Sequence, residues 1–305
     1  MNGEMFNDAY SEKPSHRTCK QWTEINWTEA GKYVNRLQIR IVKAVQANNK
    51  NLVKRLQYLL THSFYAKALA IKKVTENRGK KTPGTDNELW KTAKDKWSAI
   101  ETLDTKRYKA QPTKRVHIKK DNGKLRPLSI PTMRDRAMQT LYLFALQPIE
   151  ETTADKSSFG FRISRGCHDA CERIFHVLSR KDSSQWILEG DIRGCFDNIS
   201  HEWMLRNIPM DKRILFQFIK AGYIFKEELF PTSKGAVQGG AISPTLANMV
   251  LDGMEEMLWN TLNIGKSGKP MKRVNPHKIH LVRYADDFIV TADSKELLER
   301  AKIEI

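Results

Sequence analysis

Arg283-Tyr284-Ala285-Asp286-Asp287-Phe288-Ile289-Val290 sets two adjacent carboxylates between two β-favouring runs, Ile279-His280-Leu281-Val282 before it and Phe288-Ile289-Val290-Thr291 within and after it. Strand, tight acidic turn, strand is the simplest reading. Like charges side by side repel, and the repulsion grows as water is excluded. An acidic tip between apolar strands therefore asks for a cation, and hard carboxylate oxygens suit Mg2+. A plain hydrated turn is the alternative, because Asp is common in turns.

Upstream, Trp186-Ile187-Leu188-Glu189-Gly190-Asp191-Ile192 reads as a buried strand ending in an acid, followed by a helix-forming turn. Pairing it with the 279–291 hairpin would bring Asp191 to Asp286 and Asp287. Three carboxylates can hold two Mg2+ ions about 3.5–4 Å apart, one activating a 3′-hydroxyl and one neutralising a triphosphate. Strand termination or an N-cap is the plainer role for Asp191. Between these stretches lie Gln238-Gly239-Gly240 and Ser243-Pro244. Paired glycines let a backbone approach a ligand, and Pro at an early position starts a helix, here expected to be long. This reads as a loop against a base pair or sugar, or as a tight connection.

The front of the chain differs from the back in charge. Of the net +17 on 305 residues, residues 1–126 hold 28 Lys+Arg against 12 Asp+Glu, and residues 127–305 hold 24 against 23. The front is thus a footprint for a polyanion, nucleic acid before membrane surface. No apolar run approaches a membrane span, and residues 1–24 read as a loose leader without a signal-peptide core. Four cysteines in a chain this long suggest a reducing compartment. Cys167 and Cys171 lack a second ligand pair for zinc, so buried small side chains are expected.

Asn26-Trp27-Thr28-Glu29 has the form of a helix cap, and Val34, Leu37, Ile41 and Val45 follow at helical spacing. Asn48-Asn49 break that helix, and Leu52, Leu56, Leu59 and Leu60 begin another. Residues 72–86 read as a basic loop whose Lys72, Lys73, Arg78, Lys80 and Lys81 suit a nucleic-acid backbone, or as an exposed mobile loop; the spacing excludes a P-loop. Residues 88–107 look helical. Lys114–Lys120 and Lys124–Pro131 form a hairpin about Asp121-Asn122-Gly123. It presents Lys120 and Arg126, a point charge and a fork of the kind that grips a triphosphate, or ordinary surface cations. Arg134–Glu151 and His168–Ser179 read as helices, and Phe159–Arg162 as extended.

Taken together, Lys80-Lys81-Thr82-Pro83-Gly84-Thr85-Asp86, Arg126–Thr132 with Asp135-Arg136, Ser158–Arg162 with Gly166–Ala170, Asp191–Ile199, Gln238–Asn248 and Tyr284–Asp287 resemble, in order and spacing, the reverse transcriptases encoded by group II introns, the intron maturases. The resemblance covers about residues 72–293. It implies an α+β right-hand polymerase with basic helical fingers, a β-hairpin and an antiparallel palm flanked by helices. It implies an N-terminal helical extension over 1–65, fingers over 66–182 and palm over 183–305, with the chain ending before a thumb.

On that resemblance Asp191, Asp286 and Asp287 bind two Mg2+ with help from the Ile192 carbonyl. Lys120 and Arg126 hold the deoxynucleoside triphosphate, and Gln238 and Gly239 line its pocket. Phe196 packs under the incoming sugar and rejects a 2′-hydroxyl. Asp197, one residue late for reading that hydroxyl, is expected to be a local cap. The partners implied are intron RNA, an RNA template and a DNA primer or target, in a bacterial cytoplasmic ribonucleoprotein, with a homodimer as a further candidate on thumb-covered surface. Splicing assistance by RNA binding, or a different cellular reverse transcriptase, are the competing readings.

Overall fold

The computed structural model describes residues 20–119, 123, 125–265 and 267–305. Helices α1 (Trp27–Gln46), α2 (Lys50–His62), α3 (Phe64–Glu76) and α4 (Ala93–Thr102) come first. Strands β1 (Thr113–Lys119) and β2 (Leu125–Ile130) follow, then α5 (Met133–Thr153), α6 (Cys167–Leu178), β3 (Trp186–Asp191), α7 (Cys195–Asn198), α8 (His201–Asn207) and α9 (Lys212–Lys220). Next come β4 (Tyr223–Phe225), β5 (Glu228–Phe230), α10 (Ser243–Leu251), α11 (Met254–Leu262), β6 (His280–Tyr284), β7 (Asp287–Ala292) and α12 (Lys295–Glu304). The fold mixes helices and strands, as expected.

Local signals explain the N-terminal helices. The Asn26 side chain accepts from the Glu29 amide and starts α1; Asn49 does the same for α2 through Leu52, and Ser63 for α3 through Ala66. The phase of α2 departs from the expected one. Val53, Leu56 and Leu60 turn inward, whereas Leu52 and Leu59 are exposed. The basic stretch also begins later than expected: Lys72 to Glu76 complete α3, and only Arg78–Lys81 form a separate 3-10 turn. Helix in 88–107 is confined to Ala93–Thr102, started by a capping box between Thr92 and Asp95. Of the expected leader, residues 1–19 lie outside the described residues, and Trp22–Glu24 form one 3-10 turn with Trp22 against Trp27.

Most of α5 is buried, and α1, α3 and α10 pack around it. Pro148 sits inside this helix and cannot donate to the Phe144 carbonyl one turn back. Gln38 of α1 donates to that carbonyl instead, at 2.9 Å, so the defect becomes an interhelix bond. One apolar core runs from Ile25 through α5 to Ala247, across residue 65.

Two sheets flank it. In one, β1 pairs antiparallel with β2 and parallel with β4, giving the order β2-β1-β4-β5. In the other, β3, β7 and β6 are antiparallel in the order β3-β7-β6. One face of this second sheet packs on α11 and α12 through Leu281, Phe288 and Val290; the other meets α6 through Val282 and Ala170. β3 is an edge strand, and Trp186 and Ile187 are about half exposed, so it is not the buried strand its apolar run suggested. Cys167 and Cys171 are also exposed, because α6 turns Ala170 and Val177 inward instead. Helix α10 is shorter than expected: it stops before Gly253, whose φ of 101° leaves the helical region. Among the described residues no helix is long and apolar enough to cross a membrane.

Candidate active site

The acidic tip is a two-residue turn. Tyr284 pairs with Asp287, and Ala285 takes a left-handed φ of 60° that a residue with a Cβ adopts only when its surroundings hold it there. Those surroundings are specific. Arg283 is fully buried; its guanidinium donates to the Ala285 carbonyl and to Asn248 Oδ1, both at 3.3 Å, and to Asp252 Oδ1 at 2.7 Å. Residues 157–160 run beside β6, with Arg283 N donating to Ser157 O and Phe159 N to Arg283 O, each at 2.9 Å. A Cβ on Gly160 would stand 2.4 Å from Ala285 N, so only glycine lets this segment pass under the turn. The extended reading of Phe159–Arg162 fails beyond that point, since Phe161 has φ 62°.

Strand β3 brings the third carboxylate. Asp191 lies directly opposite Asp287, and Ile192 N donates to Asp286 O at 3.1 Å. Gly190 makes the register possible: the Phe288 ring lies across it, 2.3 Å from where a Cβ would sit. The Asp287 carboxyl is held above its ordinary range, first by desolvation and then by the charges of Asp286, Asp191 and Glu189. The buried Cys195 thiol is likewise pushed up, by burial and then by Asp286 and Asp191.

Such crowding of hard anionic oxygens is what a divalent cation relieves, so the donor chemistry fits the expected metal. The arrangement is one of backbone register: among the described residues, no three ligating side chains are already closed on a common ion. The Ile192 carbonyl accepts from Cys195 N at 3.1 Å and keeps one lone pair.

Phe196 is half-buried in α7, edge-to-face with Phe161 at 6.3 Å. Asp197 is exposed, and the local capping falls to Asn198, whose amide donates to Arg193 and Gly194 carbonyls. The glycine loop is stitched at both ends. Ala236 N donates to Phe196 O at 2.7 Å, and Ser129 N of β2 donates to Gln238 O at 2.8 Å. Gly239, at φ 103°, presses so close to Ser129 O that a Cβ would lie 2.5 Å away. One strand thus carries both the loop's anchor and Arg126, which is exposed opposite Ile118. Lys120 lies outside the described residues.

The basic candidates divide. Arg78, Lys80 and Lys81 are exposed on the 3-10 turn, which buried Arg136 holds by donating to Gly79 O (2.9 Å), Thr82 O and Pro131 O (2.9 Å). Lys72 and Lys73 sit on α3 with their ammonium groups over Trp27 (4.5 Å) and Phe144 (5.6 Å). Sequence reasoning missed Arg283 and Gly160 as supports of the tip. A charged residue inside an otherwise apolar strand and a glycine immediately after an aromatic were the available signals.

A family profile described as "Reverse transcriptase (RNA-dependent DNA polymerase)" matches residues 118–305, and one described as "N-terminal domain of reverse transcriptase" matches 22–103. The chain belongs to the reverse transcriptase family. Its curated relatives include the group II intron-encoded protein LtrA of Lactococcus lactis, 34% identical over 72% of this chain and 37% of that protein. Protein YkfC of Escherichia coli is 32% identical over 78% of this chain and 70% of that protein, and a putative COX1/OXI3 intron 1 protein of Saccharomyces cerevisiae is 29% identical over 69% and 26%. The chain therefore spans about a third of LtrA's length. Among solved structures, a chain of a partial Cas6-RT-Cas1–Cas2 complex overlaps with a TM-score of 0.44 at 20% identity, over 79% of this chain and 38% of that one, too distant to argue from.

Proposed function

We propose that this reverse transcriptase chain carries the polymerising centre of a group II intron-encoded RNA-directed DNA polymerase, arranged as the fingers and palm of a right hand. The observation that carries the reading is Asp191 opposite Asp287, with Asp286 bonded to the residue after Asp191. Residues 1–65 are then the N-terminal extension, 66–182 the fingers and 183–305 the palm. Two Mg2+ ions held by Asp191, Asp286, Asp287 and the Ile192 carbonyl would supply an acidified primer hydroxyl and charge neutralisation on the triphosphate.

The chain's own side chains do the rest. Arg126 and Lys120 grip the triphosphate. Phe196, braced by Phe161, excludes a 2′-hydroxyl from the sugar pocket that Gln238 and Gly239 line. Arg78, Lys80 and Lys81 face phosphates of the RNA template. The substrates on this reading are an RNA template, a DNA primer and deoxynucleoside triphosphates, within a cytoplasmic ribonucleoprotein.

Primer extension on RNA with deoxynucleotides and Mg2+ tests it. Asp286→Ala and Asp287→Ala should each abolish extension, and undiminished extension would falsify the assignment. The charge surplus of the first 126 residues favours intron-RNA binding that also assists splicing, as a second role. Splicing assistance that survives Asp286→Ala while extension disappears separates the two roles. Loss of both together refutes an independent binding role.

A further inference from the structure

A cavity of about 780 Å3 opens where α1 and α2 meet α5 and the α8–α9 connection, and none of the candidate site residues above lines it. Lys50, Lys54, Tyr58 and His62 all line it, spaced four apart and therefore stacked on one face of α2. The Tyr58 ring stacks on His62 at 3.8 Å with 24° between planes, yet remains 56% exposed. His62 is itself fixed on both sides, Nδ1 against Tyr58 O (2.9 Å) and Nε2 against Thr105 Oγ1 (2.8 Å). The result is an aromatic platform, backed on one face and open on the rest.

Below it the floor is apolar, with Val53, Ala145, Ile149 and Met210. Lys212, whose ammonium also donates to the Ile208 carbonyl, adds a cation to the lining, and Arg206 lies in it paired with Glu202 at 2.7 Å. The Lys212 ammonium is held below its ordinary range by burial and then by Lys54, so two positive charges crowd each other here. Asp211, the carboxylate in this lining, is occupied in capping α9 through Arg213 N (2.9 Å) and Ile214 N (3.2 Å).

Lys50, Lys54 and Lys212 around an apolar floor with an open aromatic face match a ligand that is planar at one end and anionic at the other. We propose that this cleft takes one unpaired nucleotide of RNA, its base on Tyr58 and its phosphates against Lys54 and Lys212. The proposal rests on the reading of the basic half of the chain as an RNA surface. It adds a base-recognising pocket apart from the carboxylate centre. Duplex RNA, whose bases are stacked and paired, cannot offer this group, so the cleft discriminates strandedness where the exposed lysines do not.

The test uses the full 305-residue chain and a fluorescein-labelled single-stranded 12-mer RNA, with the blunt duplex of the same sequence as control. Tyr58→Ala should weaken the single strand about five- to 150-fold by losing base stacking, and should leave duplex affinity within about twofold. Tyr58→Phe keeps the ring and should bind as the parent does. A 4-thiouridine at one position of the 12-mer should cross-link to the 50–62 segment under ultraviolet light. An equal loss for both RNAs, no loss at all, or a cross-link elsewhere overturns the proposal. So does loss of the cross-link on adding an acidic peptide that itself binds the parent chain but not Tyr58→Ala more tightly than the 12-mer does, which would make the cleft a protein site. Asp286→Ala should lose primer extension and keep the cross-link, so failure of the polymerase reading is read separately from failure of the cleft.

Discussion

Arg283 and Arg136 are both buried, and each holds a loop by its backbone carbonyls. The loops carry opposite charge. Arg283 sits under the Asp286–Asp287 tip and is paired with Asp252, so it fixes the turn without cancelling the negative field above it. Arg136 sits under Arg78, Lys80 and Lys81; it donates to the carbonyls of Gly79, Thr82 and Pro131 and to Met133 Sδ. The carboxylate that acts on it, Asp86, is a longer-range charge with no ion pair to it, so Arg136 adds to the positive field there. A buried guanidinium can therefore serve either sign of site, and its counter-ion decides which. The anionic tip is over-determined by a packed ion pair, an amide and a glycine, whereas the exposed cationic turn hangs on one buried side chain.

The largest effect should come from removing Arg283. Arg283→Met strands Asp252 in the interior and should cost about 3–5 kcal/mol. The Asp252 carboxyl is already pushed up to about 6, by burial that outweighs the Arg283 charge. The variant should therefore recover part of its stability at low pH by protonating it. Adding Asp252→Asn should restore most of the stability in a denaturant titration but not primer extension, because the Ala285 carbonyl remains unheld. Recovery of extension in the double variant would show that the tip needs no such anchor.

The elements that could be read from sequence are those whose signals are local. Asn26 capped α1 as expected, β1 and β2 pair on either side of the expected turn, whose Asp121 and Asn122 lie outside the described residues, and Asp191 met Asp287 because strand periodicity fixes register. The β4–β5 hairpin escaped because its turn, Lys226-Glu227, takes positive φ at two residues with no Asn or Gly to announce it. The exposure of Trp186 and Ile187 escaped because an apolar run cannot say whether its strand is central or at an edge. Arg283 escaped for a related reason: its counter-ion is 31 residues away in the chain, and only packing brings the two together.

Glu150 sharpens the comparison from beneath the tip. It is fully buried, accepts from the same Asn248 that meets Arg283, and its carboxyl is pushed up to about 7 by burial first. Its other oxygen has no partner among the described residues. A carboxyl raised in the folded state contributes its stability below the unfolded value of 4.5 and loses it as pH rises through about 7. The loss across that window is on the order of 3 kcal/mol. Glu150→Gln keeps the acceptor and cannot ionise. Its melting temperature should thus match the parent below pH 4.5 and exceed it at pH 8; parallel curves would mean the Glu150 carboxyl titrates alike in the folded and unfolded chain.

The cationic turn should respond more gently. Arg136→Met frees the carbonyls of Gly79 and Thr82 near the surface, where water can replace the guanidinium, so the stability cost should be about 1–2 kcal/mol. The informative measurement is the salt dependence of RNA binding. Replacing Arg78, Lys80 and Lys81 together by Ala should lower the slope of log affinity against log salt by roughly 2, since each phosphate contact on a single strand contributes about 0.7. Arg136→Met keeps all three charges but releases the turn that aims them. If aim matters, its slope should fall nearly as far as in the triple variant. If the charges act only as a diffuse positive patch, the slope should fall by no more than the roughly 0.7 of Arg136's own charge, and the buried arginine would then be an anchor for the fold alone.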